Sequence, residues 1–427
     1  MSPGKRVYAD YNATAPLRPE AKSAILRALE LTGNPSSVHG EGRKARAVVE
    51  AAREAVAAAI GACRDDIAFT SGGTEAVGAA LRGAMEASSH GSLLASVVEH
   101  DAVASIVAEL KHQNINADAA MRDFLDAGGD ADARARLAEQ SPPQPWGAVA
   151  LESWAVKPDG KVDLGFLRAV MDGAKSIGGV KPLVSLMLVN NETGVIQPVA
   201  EAAEIVHAAG GLIHCDAIQA LGKIETSVIE LDVDYMSLSA HKIGGPQGVG
   251  AFYVKPGAPF RAVQTGGGQE FGRRAGTENV AGIAGFGAAV EAATNGLSYY
   301  EALRAARDCM EASLKRVAPS LVVHGEAAPR VAGVSCFGVE GLPSETQIMG
   351  LDLAGFAVSA GSACSSGKVK PSRVLTAMGL NATAARSAIR ASFGWASTPE
   401  DFDALANAWI RMAARARPQL VKLDAHV

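Results

Sequence analysis

The stretch Asp234–Val254, "DYMSLSAHKIGGPQGVGAFYV", sets two short apolar runs around a turn that carries one lysine. The runs "YMSLS" (235–239) and "GAFYV" (250–254) have the length and composition of strands. Lys242 follows the first run closely, and Ser239 and His241 beside it can donate hydrogen bonds to an anion. An isolated lysine in this place reads as a surface side chain snorkelling from a loop. Its company along the chain decides otherwise.

Five further apolar runs precede it: "IAFT" (67–70), "LLASVV" (93–98), "AVALE" (148–152), "LVSLMLV" (183–189) and "GLIHC" (211–215). Several are apolar throughout, as in strands buried on both faces. Helical patterns separate them. In "GRKARAVVEAAREAVAAAI" (42–60), Val48, Val49, Ala52, Val56, Ala59 and Ile60 recur at helical spacing. The alternation predicts successive βαβ units and a parallel sheet. Residues 114–145 are polar and end in "SPPQP", so they read as a surface excursion. Near Gly282 the pattern changes to helix, a "GVSCFGV" strand and further helices, which predicts a smaller C-terminal α/β domain.

The chain has 427 residues and a formal net charge of -5, which argues against nucleic acid or a membrane surface as partner. Its five cysteines, Cys63, Cys215, Cys309, Cys336 and Cys364, form no CxxC pair and fit a reducing cytosol. The opening "MSPGKRVYADYN" has no apolar signal region, and no run is long enough to span a bilayer. A cytoplasmic protein with no metal site is expected.

Three stretches besides the lysine fall at predicted strand ends, where open parallel sheets bind ligands. "FTSGGTEA" runs through Gly73 and Thr74 into a helix, whose first N–H groups can face a phosphate. "HCDAIQ" leaves Asp216 at the end of a buried strand with Gln219 three residues on. Asp216 reads as a helix N-cap or as the partner of a protonated pyridine nitrogen. "VVEHDAV" offers His100, which either caps the next helix or stacks on a flat ring and moves protons. Phosphate cradle, ring platform, carboxylate and amine together suit pyridoxal 5'-phosphate bound through a lysine.

These residues resemble the pyridoxal-phosphate-dependent cysteine desulfurases, in particular the group with an extended cysteine loop that serves iron–sulfur cluster assembly. The resemblance rests on "VYADYNATAP", "GNPSSVHGEGRKAR", "IAFTSGGTEAV", "VNNETGVIQP", "HCDAIQALGKI", "GGGQEFGRRAGTENV", "AVSAGSACSSGKVKPSRVL" and "SAIRASFGW", in family order. It implies the aminotransferase-like α/β fold (fold type I), with a mostly parallel seven-stranded sheet. It also implies a division into residues 1–20, which join the small domain, 21–281, the large cofactor-binding domain, and 282–427, the small domain. By the same resemblance Lys242 carries the cofactor, Asp216 meets the pyridine nitrogen, Gln219 the ring hydroxyl, and His100 stacks on the ring. Thr74, Ser239 and His241 would hold the phosphate, with Thr277 lent by the second subunit of a homodimer. Asn191, Asn34 and Arg390 would lie near the substrate, L-cysteine. Arg390 is the natural carboxylate clamp, because its planar fork is bidentate. Gly244, after "HKI", carries no special reading.

The segment "SAGSACSSG" (359–367) hangs one thiol, Cys364, among small residues. Gly361 and Gly367 permit a wide backbone range, and Lys368 and Lys370 favour a thiolate. Sulfur must be collected at the cofactor and delivered elsewhere, and a rigid thiol could do only one of these. The resemblance thus implies a persulfide on Cys364, alanine as product, and an acceptor such as an iron–sulfur scaffold or a thiolation partner. The other four cysteines read as structural. Another enzyme of the same fold, such as a selenocysteine lyase or aminotransferase, or a non-catalytic scaffold, is the competing expectation.

Overall fold

A computed structural model describes residues 6–87, 92–111, 151–154, 156–176, 182–361 and 371–422. The polar excursion and Cys364 lie outside the described residues. Among the described residues no helix is long and apolar enough to cross a membrane.

The strands are β1 (Val7–Tyr8), β2 (Ile67–Thr70), β3 (Ser92–Ser96), β4 (Leu151–Trp154), β5 (Pro182–Met187), β6 (Leu212–Asp216), β7 (Tyr235–Ser239), β8 (Gly250–Val254), β9 (Val322–Val323), β10 (Val334–Gly338), β11 (Phe356–Ala357), β12 (Ser359–Ala360) and β13 (Ala388–Ser392). Seven of them form one sheet in the order β2-β8-β7-β6-β5-β3-β4. Only β8 runs against its neighbours, β2 and β7. The other pairings are parallel. β5, β7 and β8 are buried at every position, as their unbroken apolar runs require.

Strand limits shift by a few residues from the apolar runs. β3 stops at Ser96, and a turn at 97–98 then delivers Glu99 and His100. β6 extends one residue past its apolar run, so Asp216 is its last member. The run expected at 148–152 is described as a strand at Leu151–Trp154.

A second, four-stranded antiparallel sheet has the order β12-β13-β10-β9. Helices Leu297–Val317 and Pro399–Ala416 pack together beside it, and Phe337 of β10 meets Trp409 edge-on. The N-terminal segment joins this region. β1 pairs in parallel with β11, and Asp10 bridges to Ser392 at the end of β13.

The helix Val280–Asn295 packs against helices Pro19–Leu29 and Gly40–Ile60. The approach is close: a Cβ on Gly287 would lie 2.7 Å from Ala52 Cα. Gly287→Ala therefore lowers stability by about 1–3 kcal/mol through overpacking, despite alanine's better helix propensity. Gly78, in helix Gly73–Ala87, has nothing within 4 Å of a built Cβ, so Gly78→Ala stabilises by about 0.5–1 kcal/mol. Denaturant unfolding of both variants checks the contrast.

Candidate active site

The carboxyl ends of β2, β3, β5, β6 and β7 meet at one cavity of about 320 Å³. Gly73, Thr74, His100, Asn191, Asp216, Gln219, Ser239, His241, Lys242 and Arg390 all line it, joined by Asn12 and Ala13. Ten residues chosen from the sequence thus converge, although they span more than three hundred positions.

One end of the cavity is built for an anion. β2 leads through Gly72 into the helix that begins at Gly73. The first intrahelical donor is Ala76 N–H, bonded to Gly72 O at 3.0 Å, so the preceding N–H groups stay available. A side chain at 73 would foul Ile218 Cδ1 at 2.5 Å and Ser239 Cβ at 3.2 Å, so glycine keeps the space open. Ser239 Oγ is buried with no partner among the described residues. An orphaned hydroxyl beside free N–H groups is the chemistry of a phosphate seat. His241 shares a 3.2 Å contact with Thr14 Oγ1, and burial pushes its pKa down to about 4. It therefore serves as a neutral ring.

Asp216 accepts the Ile218 N–H at 3.0 Å. Burial raises its pKa, opposed by that N–H and by His100 and Lys242. A second buried carboxyl, Glu99, accepts Met187 N–H on Oε1 and leaves Oε2 unpartnered. Burial and the charge of Asp216 push the Glu99 pKa well up. His100 takes the capping part read from the sequence and also faces the cavity. Its Nδ1 accepts Ala102 N–H at 3.1 Å, capping a helix at 101–111, while its ring lines the cavity.

Lys242 Nζ donates to Asn12 O at 2.6 Å and Ala13 O at 2.8 Å. Burial, helped by Arg390, lowers its pKa to about 8, against the pull of Asp10 and Asp216. The carbonyls belong to a segment that lies along the lysine turn. Ala15 N–H bonds His241 O, and Arg18 N–H bonds Gly244 O, each at 2.8 Å. Gly244 has a larger part than its sequence reading: φ is +86°, and a Cβ would lie 2.6 Å from Arg18 Cγ.

Arg390 is buried on β13, next to β12. It donates to Asp10 Oδ1 at 2.8 Å and to Asn191 O at 3.1 Å, while its Nε has no protein partner. Asp10 also accepts from Ser359 at 2.7 Å. The fork is thus partly filled by Asp10, which the sequence reading missed.

Two expected residues lie elsewhere. Asn34 is exposed and accepts Ser36 N–H at 2.8 Å. Thr277 lines a different cavity with Glu270 and Arg274. Cys215 and Cys336 are buried, and burial raises both thiol pKa values, which leaves them inert.

A mostly parallel seven-stranded sheet with these residues at its carboxyl ends is the α/β arrangement of fold-type-I pyridoxal-phosphate enzymes. The aminotransferase class-V family model matches residues 7–123 and 146–405. A cysteine desulfurase from Cereibacter sphaeroides is 40% identical over 404 residues, covering 94% of each chain. The cysteine desulfurase IscS of Dictyoglomus turgidum is 37% identical, over 93% of this chain and 92% of its own. A solved NifS-like protein from Rickettsia africae superposes with a TM-score of 0.77 at 28% identity, over 95% of this chain and 99% of its own. The chain belongs to the aminotransferase class-V family, and within it to the cysteine desulfurases.

In the cofactor-free protein, the Lys242 amine titrates near pH 8 rather than 10.5. Arg390→Leu raises that value and Asp10→Asn lowers it, because each removes one named charge. The unfolded chain binds the Lys242 proton more tightly, so this group makes stability rise with pH from about 8 to 10.5. NMR of ¹³C-dimethylated lysines, assigned with Lys242→Arg, reads the midpoint; an ordinary lysine value contradicts the burial argument.

Proposed function

We propose that this cavity holds pyridoxal 5'-phosphate on Lys242 and that Cys364 takes up the sulfur of L-cysteine as a persulfide. The observation that carries the cofactor assignment is the buried, unpartnered Ser239 hydroxyl beside the open N-terminus at Gly73, in one cavity with Lys242 and Asp216. Thr74, Ser239 and the helix N–H groups bind the phosphate. Asp216 faces the pyridine nitrogen, and Gln219 the ring oxygen. His100 covers the ring. When bound, the cofactor supplies an electron sink for the substrate's α-carbon.

The chain's own groups supply the rest. Arg390 binds the amino-acid carboxylate through its free Nε and a fork nitrogen, with Asn191 beside it. Lys242, with a pKa of about 8, takes and returns protons near neutral pH. The Cys364 thiolate attacks the substrate sulfur: an S–S bond forms and the C–S bond breaks. The released electron pair stays with the three-carbon product and is neutralised by a proton, giving alanine. One cysteine and one thiol thus become one alanine and one persulfide.

The reading extends to the assembly. Thr277, which lines a different cavity of its own chain, serves the site of a second copy in a homodimer. Residues 1–20 belong with the small domain 282–427, and 21–281 form the cofactor-binding domain. The pairing of β1 with β11 supports the first of these assignments. The sulfur passes to an iron–sulfur scaffold or a thiolation partner in the cytoplasm.

Cys364→Ala abolishes alanine formation from cysteine by at least about a hundredfold while cofactor remains bound. Mass spectrometry of wild type after cysteine shows one added sulfur on the Cys364 peptide. Alanine formation surviving in the variant contradicts the assignment of the nucleophile.

A further inference from the structure

Lys223 is a buried amine that the reaction does not use. It lies four residues after Gln219, and its Nζ donates to Gln219 Oε1 at 2.6 Å and to Asn12 Oδ1 at 2.7 Å. It does not line the cavity that Lys242 shares with Asp216. It lines a smaller one, of about 140 Å³, together with Tyr11, Arg18, Lys242, Tyr300 and Trp395, and among the described residues no carboxylate lines that space.

The amides it grips have a fixed orientation. Gln219 Nε2 donates to Asn12 O at 2.9 Å, an oxygen that can only accept. Gln219 must therefore turn its oxygen to Lys223, and its second Nε2 hydrogen is left for the cavity. Asn12 turns Oδ1 to Lys223 and donates Nδ2 to Asn191 O at 2.9 Å, the carbonyl that also receives Arg390. Two N–H bonds from one amine match two amide oxygens. Burial lowers the Lys223 pKa well below the usual lysine range, as suits a neutral amine with two donors.

The turn cannot drift away from this position. Gly222, just before Lys223, has φ +70°, and a Cβ there would lie 2.7 Å from Ala293 Cβ. Without the Lys223 amine, two buried amide oxygens would lose their donors, and each amide would be held by its N–H bond alone.

We propose that Lys223 is a positioning residue for the desulfurase site: its amine locks Gln219 with an N–H donor facing the cofactor's ring oxygen, and locks Asn12 toward the Asn191 carbonyl. The inference rests on the pyridoxal-phosphate reading above.

The test is a double-mutant cycle on cofactor-free protein, with Lys223→Met, Gln219→Leu and the pair titrated with pyridoxal phosphate. The wild-type chain binds the cofactor; if it does not, the functional reading itself fails. Lys223→Met weakens binding about tenfold or more, the scale of an orphaned buried acceptor. Gln219→Leu weakens it comparably, and the pair loses little beyond the larger single effect. The visible absorption maximum of the bound cofactor shifts the same way in both single variants, which a merely structural lysine would not cause. Should Lys223→Met fail to fold, Lys223→Gln replaces it in the cycle, since its short amide cannot span both acceptors. Wild-type binding with an unchanged affinity and spectrum in the Lys223 variant, or losses that multiply in the pair, overturns the proposal.

Discussion

The site depends on how one amine is buried. Lys242 is held by two main-chain carbonyls, from Asn12 and Ala13, and by no carboxylate. A carboxylate partner would stabilise the ammonium and leave the amine unreactive at neutral pH. Carbonyls satisfy its hydrogen bonds while leaving burial free to disfavour the charge. The pKa near 8 follows, and with it an amine that can both bond a carbonyl carbon and shuttle protons.

That arrangement explains why the N-terminal segment crosses between the two sheets. It pairs through β1 with β11 and through Asp10 with the end of β13, then lies against the lysine turn. Asn12 stands at the crossing. It touches Gln219, Lys223, Lys242 and Asn191 through four separate bonds. The cavity residues of the large sheet and Arg390 of β13 are therefore referenced to the same short stretch. The preorganisation that catalysis requires is distributed across this network of amides and carbonyls together with the Arg390–Asp10 ion pair.

Much of this was legible in the sequence, for a physical reason. Strands buried on both faces write unbroken apolar runs, and the residues just beyond them are the cavity wall, so Lys242, Asp216, Ser239 and Thr74 could be picked out. Asn12, Ala13 and Asp10 could not, because their partners lie hundreds of positions away and two of the contacts use only backbone carbonyls. Glu99 had a signal that went unused: a carboxyl directly after an apolar run must be buried and either paired or protonated. Lys223 had a similar one, standing one helical turn after Gln219 in an otherwise apolar stretch. Thr277 and Asn34 show the opposite limit. Their motifs resemble the family's; Asn34 is not at the cavity of its own chain, and Thr277 reads as serving a second subunit's.

The central claim is that Lys242, and no other amine, bonds the cofactor. Reduction of the cofactor-loaded protein with borohydride, followed by peptide mapping, tests it directly, because Lys223 offers a second buried amine close by. The account predicts the pyridoxyl group on Lys242 alone. A label on Lys223, or none on either lysine, would contradict it.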